Sequence, residues 1–432
     1  MHISSYCKIF PANGSGKSFL IYSTKNAAIA EVPAALLRRI QKGQSIPEKD
    51  ERLLRRLGVL VADPVRGKKR MLGFMDALNR ASRFLSIKLV MNLDCNLSCR
   101  YCFEGNRKGK FYMTENTSDQ FVEFVKSRLG EKIEEVFITF YGGEPLLSKQ
   151  LIISVAKKLK AMTERRGVSF RFALQTNGTL LTKKTVRELR PLGLAEAYVT
   201  VDGPKSNHDA FRPHKSGRGS FETIIKNMQD VCDLVDLQPG GNFTRDNYEQ
   251  FPTLLDHFIA SGLTPDKLSS VSFYTVVSET ADVLPDFNEG CSSMSEPWLV
   301  GAALMLREEI LKRGYRMTRL LPVVCMMEHK SNILVNYNGD IYKCPSLIGR
   351  KEFCVGNIRS GIYDFQASHN LDNWKNKDCL NCEYLPLCFG GCRYMKYIRD
   401  GNMNGVECKK PYLDATLEAM VKQDIKYGLT SA

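Results

Sequence analysis

The sequence predicts an α/β protein: a parallel sheet curled into a partial (β/α)6 barrel, preceded by a small N-terminal α+β module and followed by a loop-rich segment. Three observations carry this. Six strand-like runs between residues 86 and 277 alternate with amphipathic helical stretches, the pattern of serial β–α units. A cysteine triplet, Cys95, Cys99 and Cys102, follows the first run directly, where barrels of the TIM type carry their reactive groups. From about Leu321 the periodicity fades and eight more cysteines appear, seven of them in an ordered set.

Residues 1–75 read as the N-terminal module. Ser18 to Ser23 is a short strand, Pro33 to Lys42 a helix stopped at Gly43, Lys49 to Leu57 a second helix, and Gly58 to Ala62 a returning strand. Pro64 to Arg70 reads as a basic linker and Met71 to Arg83 as helical. The barrel domain is expected over 84–290, with strands at 86–92, 135–141, 169–175, 195–201, 241–244 and 269–277. Helices such as 118–129 and 152–166 lie between them. Residues 321–412 form the third domain. A hairpin there, 332–335 with 340–343, turns at Asn336-Tyr337-Asn338-Gly339. Little else in it has the pattern of a core, so it is expected to need metal to fold. Residues 413–426 read as a helix.

A chain of 432 residues holds two or three domains. No apolar run is long enough to span a membrane, and the N-terminus lacks the pattern of a secretory signal. A cytoplasmic location is expected. Closely spaced cysteines there are metal ligands or redox groups more often than disulfides. The net charge is +14, but the lysines and arginines are scattered along helical stretches and not interleaved with aromatics as a single-strand groove requires. The charge reads as a solvated basic surface and excludes no acidic peptide partner, whereas a nucleic-acid partner is not expected.

Thiolates are the usual ligands of iron–sulfur clusters. Cys95-x3-Cys99-x2-Cys102 can hold three irons of a [4Fe–4S] cube and leave the fourth open to a chelating ligand; a zinc site one ligand short is the alternative. Tyr141-Gly142-Gly143-Glu144-Pro145 follows the second strand. Its glycines let backbone approach a ligand closely, and its carboxylate suits an ammonium group. Thr176-Asn177-Gly178 follows the third strand. Thr200-Val201-Asp202-Gly203 follows the fourth, with Arg212 nine residues on. Singly, these mark ordinary strand-end turns. Together they put polar groups at four successive strand ends of one barrel mouth.

On the triplet, with Tyr101 before its last member, and on Gly142-Gly143-Glu144-Pro145, the chain resembles the radical S-adenosylmethionine (SAM) enzymes over roughly residues 84–280. The resemblance implies a [4Fe–4S] cluster on Cys95, Cys99 and Cys102 whose open iron is chelated by SAM. It also implies reductive cleavage to a 5′-deoxyadenosyl radical and hydrogen abstraction from a substrate, with flavodoxin or ferredoxin as the reductant. By motif match, Gly143 and Glu144 meet the SAM amino group and Thr200 the ribose. Arg212 meets the carboxylate, Tyr101 lies near the adenine, and Gly142 and Asn177 complete the binding turns.

The later cysteines, with Gly339 five residues before Cys344, resemble a SPASM domain with two auxiliary [4Fe–4S] clusters, three clusters in all. That resemblance implies an outer cluster on Cys379, Cys382, Cys388 and Cys408, and an inner one on Cys325, Cys344 and Cys392. The inner set is one ligand short. Sulfatase-maturing relatives carry a cysteine where Arg319 stands and an aspartate where Pro345 stands, so sulfatase maturation is disfavoured. Cys291 or Cys354 is a candidate fourth ligand, and a substrate thiolate is another. Cys354 also reads as a plain buried cysteine, and Cys7 and Cys232 read as structural. The N-terminal unit resembles the winged-helix leader-recognition module of peptide-modifying enzymes, which adds the leader as a strand to a sheet edge. The whole resembles maturases of ribosomally made peptides, nearest the geopeptide type. It implies a precursor peptide with a leader as partner and an intrapeptide crosslink, a thioether foremost, as product. Carbon–carbon crosslinking, epimerisation and sulfatase-type maturation are alternatives within enzymes; an iron–sulfur electron-transfer protein is the alternative outside them.

Overall fold

The computed structural model describes residues 1–102, 104–277, 291 and 293–429. Positions 278–290, the end of the expected barrel domain, lie outside the described residues.

The N-terminal module has strands β1 (His2–Ile3), β2 (Cys7–Pro11), β3 (Ser18–Ser23), β4 (Ala28–Pro33) and β5 (Leu60–Val61). β2, β3 and β4 form an antiparallel sheet in that order, and β1 pairs with β5. Helices α1 (Ala34–Gln41) and α2 (Glu48–Arg56) bury Leu37, Ile40 and Leu54 with Ile21, Val32 and Val59. The expected linker is instead a helix, α3 (Pro64–Leu72). Asp63 caps it, accepting from the Val65 N–H, and Pro64 occupies its first turn; this Asp-Pro pair is a helix-start signal that the run of basic residues masks. α4 (Phe74–Ala81) follows.

The barrel strands are β6 (Phe84–Asn92), β7 (Glu135–Gly142), β8 (Ser169–Thr176), β9 (Leu194–Thr200), β10 (Asp236–Phe243) and β11 (Ser272–Thr275), all parallel. Helices α5 (Glu115–Arg128), α6 (Lys149–Glu164), α7 (Lys183–Leu189), α8 (Lys205–Phe211), α9 (Phe221–Val231), α10 (Phe251–Ala260) and α11 (Pro297–Lys312) accompany them. Strand alternation sorts the side chains. On β6, Leu85, Ile87 and Leu89 join the main core with Phe121, Phe140 and Phe172, while Ser86 and Lys88 line the inner chamber. β10 starts five residues before its expected position, because Gln238-Pro239-Gly240-Gly241 carries little strand propensity of its own.

The sheet continues past these six strands. β12 (Asn332–Val335), the first arm of the expected hairpin, pairs parallel with β6. β13 (Asp340–Tyr342), β14 (Gly356–Asn357) and β15 (Gly361–Ile362) then continue antiparallel. The result is one open ten-stranded sheet among the described residues, with β11 and β15 at its edges. The C-terminal segment is therefore laddered onto the strand that leads into the cysteine triplet. It also has a core, contrary to the expectation. Leu334, Tyr342, Phe353, Tyr394 and Met403 pack together, Trp374 is sealed against Phe389, and Arg393 pairs with Glu328 in the interior. Those residues sit on loops and on four-residue helices, α12 (Lys377–Leu380) and α13 (Leu385–Cys388), where no period reveals them. α14 (Arg393–Asp400) and α15 (Lys410–Lys426) complete the fold. Among the described residues, no helix is long and apolar enough to cross a membrane.

Candidate active site

The triplet loop leaves β6 at Asn92 and is sewn to the chain after α8. Leu97 bridges His214, the Ser98 N–H donates to Pro213 O at 2.8 Å, and the Arg100 N–H donates to Phe211 O at 3.0 Å. On the other side it rests on the turn after β7. The Gly143 N–H donates to Asn92 O at 3.0 Å and the Glu144 N–H to Asp94 O at 2.8 Å. A Cβ on Gly142 would overlap the Asn92 carbonyl and one on Gly143 the Asp94 carbonyl, and Gly142 has φ +145°. The paired glycines thus serve an approach of backbone to backbone as well as lining the chamber.

Glu144 is fully buried. One oxygen accepts from the Leu146 N–H (3.0 Å) and the Thr176 hydroxyl (2.8 Å), the other from the Asn177 N–H (2.8 Å). Its carboxylate therefore clasps the ends of β7 and β8 together, and it is absent from the chamber lining where a direct contact with a ligand's ammonium group was expected. Asn177 does line the chamber, its side-chain amide lying 3.7 Å from Cys95 Sγ and 2.8 Å from Asn96 Oδ1.

The chamber itself encloses about 660 Å³ and brings together Cys95, Cys99, Cys102, Tyr101, Thr200 and Arg212. A buried network that the motifs only hinted at braces it. Asp202 Oδ2 accepts from the Tyr101 hydroxyl and stands 3.6 Å from Arg212 Nη1. Asp202 Oδ1 accepts from the Asn242 N–H at 2.7 Å. Arg212 Nη1 and Asn242 Nδ2 donate to the Tyr101 hydroxyl at 2.8 and 3.0 Å. Behind it, the Asp202 N–H donates to His208 Nδ1 at 3.1 Å, and His208 Nε2 meets Ser220 Oγ at 3.0 Å. Asp202 stands inside the quoted Thr200-Gly203 turn, so its position was visible while its partners were not.

Burial pushes the Cys99 thiol up to about 11 and raises that of Cys95, against the pull of Arg212 and Lys108. Such thiols become ligands when a bound metal supplies the positive charge. Glu104, Lys88 and Lys108, ionisable residues of the chamber, escaped the sequence reading. Glu104 is buried, neither oxygen has a hydrogen-bond partner among the described residues, and burial pushes its carboxyl up to about 7. Lys88, whose ammonium is disfavoured by burial, lies 3.3 Å from Gln175 Oε1 and over the Tyr141 ring. The signal for Lys88 was its inward register with Ser86 between Ile87 and Leu89.

The C-terminal cysteines fall into two spatial groups. Cys344 feels Cys392 and Cys325 electrostatically, whereas Cys379 feels Cys388, Cys382 and Cys408. Burial pushes Cys344 up to about 12. Cys291, fully buried, lies within electrostatic reach of Cys392, while the Cys354 thiol donates to Gly356 O at 3.2 Å. Arg319 is committed elsewhere, its Nη2 donating to Ala27 O at 2.6 Å. Among the described residues, no three His, Cys, Asp or Glu side chains converge as they would on a single ion. A cube gives each thiolate its own iron and does not ask for that convergence. A second, largely apolar cavity of about 600 Å³ meets the first at Tyr101, Asn242, Tyr274 and Thr318, and Cys392 lies in its wall.

Comparison with known proteins agrees with this geometry. Residues 89–256 match the radical SAM superfamily. A serine-type anaerobic sulfatase-maturating enzyme of Bacteroides thetaiotaomicron is 25% identical over 395 residues, 78% of this chain and 92% of that protein. Two solved structures share the fold. One, anSMEcpe with bound AdoMet, has a TM-score of 0.62 at 17% identity, covering 78% of this chain and 98% of that one. The other, Streptococcus suis SuiB bound to its precursor peptide SuiA, has a TM-score of 0.55 at 15% identity, covering 94% and 98%. The superfamily implies a [4Fe–4S] cluster and SAM, and the residues present fit both. Three cysteines share one wall of the chamber, and among the described residues Arg212 Nε and both Glu104 oxygens are buried there without a hydrogen-bond partner, unmet capacity that suits a zwitterionic ligand. The match over residues 89–256, seated on this triplet and this chamber, gives the chain a radical SAM domain and makes it an enzyme of radical chemistry.

Proposed function

We propose that the protein matures a ribosomally made peptide by closing a crosslink within it, a thioether from a peptide cysteine. The observation that carries this reading is the pair of joined cavities, one walled by the Cys95–Cys102 triplet and the other by Cys392. A peptide lying across the junction at Tyr101 and Asn242 presents one residue to each. A cluster and SAM bound in the first cavity would supply the one-electron chemistry that removes a hydrogen atom from the peptide; the thiol proton would pass to solvent, and an auxiliary cluster would take up the electron released as the carbon–sulfur bond closes. The chain's own residues bind and orient. Cys95, Cys99 and Cys102 ligate the cluster; Arg212, held by Asp202, faces the SAM carboxylate; Thr200 faces the ribose; Gly142 and Gly143 shape the turn beside it. The enclosed walls exclude water and stray hydrogen donors.

In this reading residues 321–412 hold two auxiliary clusters, an outer one on Cys379, Cys382, Cys388 and Cys408 and an inner one on Cys325, Cys344 and Cys392. The vacancy of the inner set is where the peptide thiolate sits. Residues 1–75 hold the leader. A groove of about 710 Å³ lies between β4 and helices α1 and α2, lined by Val32, Leu36, Leu53 and Leu57, and β4 is the edge of its sheet. An extended leader adds there as a fourth strand. SuiB, whose structure holds a precursor peptide, supplies the analogy.

Sulfatase-type maturation is the second reading, favoured by the Bacteroides relative. Against it, the residue after Cys344 is Pro345, which opens a short turn and offers no carboxylate. Mass spectrometry of the co-expressed precursor peptide decides. Loss of two hydrogens per crosslink, with a cysteine that no longer alkylates, is the expected result. An aldehyde formed on a sulfatase peptide favours the second reading, and an unmodified mass with solvent deuterium uptake favours epimerisation.

A further inference from the structure

The three cysteines of the triplet have two faces. Toward the interior they wall the chamber described above. Toward the outside the same three wall a smaller opening of about 320 Å³. The charged residues that line this outer opening are Arg100, Lys108, Lys110 and Lys215 against one carboxylate, Asp94. Asp94 is already spent: it accepts from Lys215 at 2.8 Å, from the Tyr112 hydroxyl at 2.6 Å and from the Cys95 N–H at 2.9 Å. Arg100, Lys110 and Lys215 are exposed. Lys108 lies deeper, beside Cys102.

We propose that this cationic opening is the docking face for the reductant, a small acidic one-electron carrier protein with a flavin or iron–sulfur centre. The proposal rests on the reading that the triplet holds a cluster. An electron must reach that cluster from outside the protein, and electron transfer weakens steeply with distance. In that reading SAM and substrate fill the inner face, whereas the outer opening leads from the same three cysteines to the exposed Arg100, Lys110 and Lys215. Encounters of this kind are small and transient, so charge rather than buried apolar area selects the partner and sets its rate of arrival. A ring of cations with its only carboxylate neutralised attracts an acidic surface and repels a basic one.

The test compares two electron donors on the reconstituted enzyme, reading 5′-deoxyadenosine formed from SAM. One donor is reduced flavodoxin; the other is photoreduced deazariboflavin, a small neutral molecule that needs no docking face. The variants are Arg100→Glu/Lys110→Glu and the milder Arg100→Gln/Lys110→Gln. Expected is a loss of about tenfold or more with flavodoxin for the Glu pair and a smaller loss for the Gln pair. Both keep the wild-type rate with deazaflavin and the wild-type cluster absorbance. The wild-type rate with flavodoxin also falls as salt is raised, and the rate with deazaflavin does not. Equal losses with both donors mean that these cations only tune the cluster, and unchanged flavodoxin rates mean that docking is elsewhere; either overturns the proposal. No 5′-deoxyadenosine from the wild type with deazaflavin removes the cluster reading itself.

Discussion

Asp202 and His208 do more at the scale of single residues than the motif glycines beside them. Asp202 holds Arg212, Tyr101 and Asn242 in one buried arrangement, so its charge sets where the guanidinium points. Asp202→Asn keeps the shape and removes the charge, and a hydrogen bond to a charged group contributes about 1.5–3 kcal/mol. SAM affinity, read by equilibrium dialysis, should fall roughly 10- to 100-fold, with iron content unchanged. His208 supports this aspartate from behind. The Ser220 hydroxyl donates to Arg212 O, so His208 Nε2 must donate to Ser220 and Nδ1 must accept from the Asp202 N–H, which requires the neutral ring. Burial, then the nearby Arg212, pushes this imidazole down to about 3. The sign follows. Unfolded, the ring takes a proton near its ordinary pKa of about 6.5; folded, it refuses one until about pH 3. Its contribution is full above about 6.5 and drains away at about 1.4 kcal/mol per pH unit as acid is added. His208→Gln, which cannot charge, should lose less stability than the wild type between pH 7 and 5; parallel acid profiles of the thermal midpoint would contradict this.

Elements meet at the cysteine loop through glycine. Gly143→Ala drives a methyl into the Asp94 carbonyl, one residue from Cys95, and the backbone must move. Overpacking of this kind costs about 1–3 kcal/mol. The loss should also appear in the metal count, about four irons fewer per chain if the triplet can no longer close on its cluster. Gly301→Ala is the control. Gly301 is an exposed position of α11 with open space around it, and alanine there should stabilise by about 0.5–1 kcal/mol. How legible these elements were depends on how local their causes are. The barrel strands announced themselves because alternation along β6 to β9 is a property of each strand alone. The pairing of β12 with β6 joins residues 246 positions apart, such as Asn332 with Ser86, and no local pattern encodes it. α3 was hidden differently: six residues of linker-like basic composition outweighed one Asp-Pro cap.

Seen whole, the molecule ties its N-terminal module to its C-terminal segment around the outer cysteine group. Thr24 Oγ1 donates to Glu383 O at 2.7 Å, Tyr6 to Leu380 O at 3.3 Å, and Lys8 pairs with Glu383 at 3.0 Å. Beneath these contacts, Phe10, Leu20 and Tyr22 pack on Tyr384 and Leu387, and Met71 and Met75 pack on Trp374 and Phe389. The partially exposed ion pair contributes little by itself; the apolar contacts hold the module. The sequence named every cysteine of this group, because spacing is written in the chain, but it could not show that the same loops carry the N-terminal module, because that surface is assembled from residues 6–75 and 374–389. A consequence follows for metal loss. α12 and α13 are four residues each, too short to persist unaided, and Cys379, Cys382 and Cys388 sit on or beside them. If a cluster on these cysteines fixes that region, Cys382→Ala/Cys388→Ala should loosen the module at a distance. Amide exchange in β3 and β4 should rise about tenfold or more, the equivalent of about 1.4 kcal/mol of local stability, while β7 and β8 in the barrel keep their protection. Leader affinity, measured with a labelled leader peptide, should fall with it. Unchanged exchange in β3 and β4 after loss of the outer iron would mean that the apolar contacts alone hold the module and that the outer group serves electron transfer without a structural part.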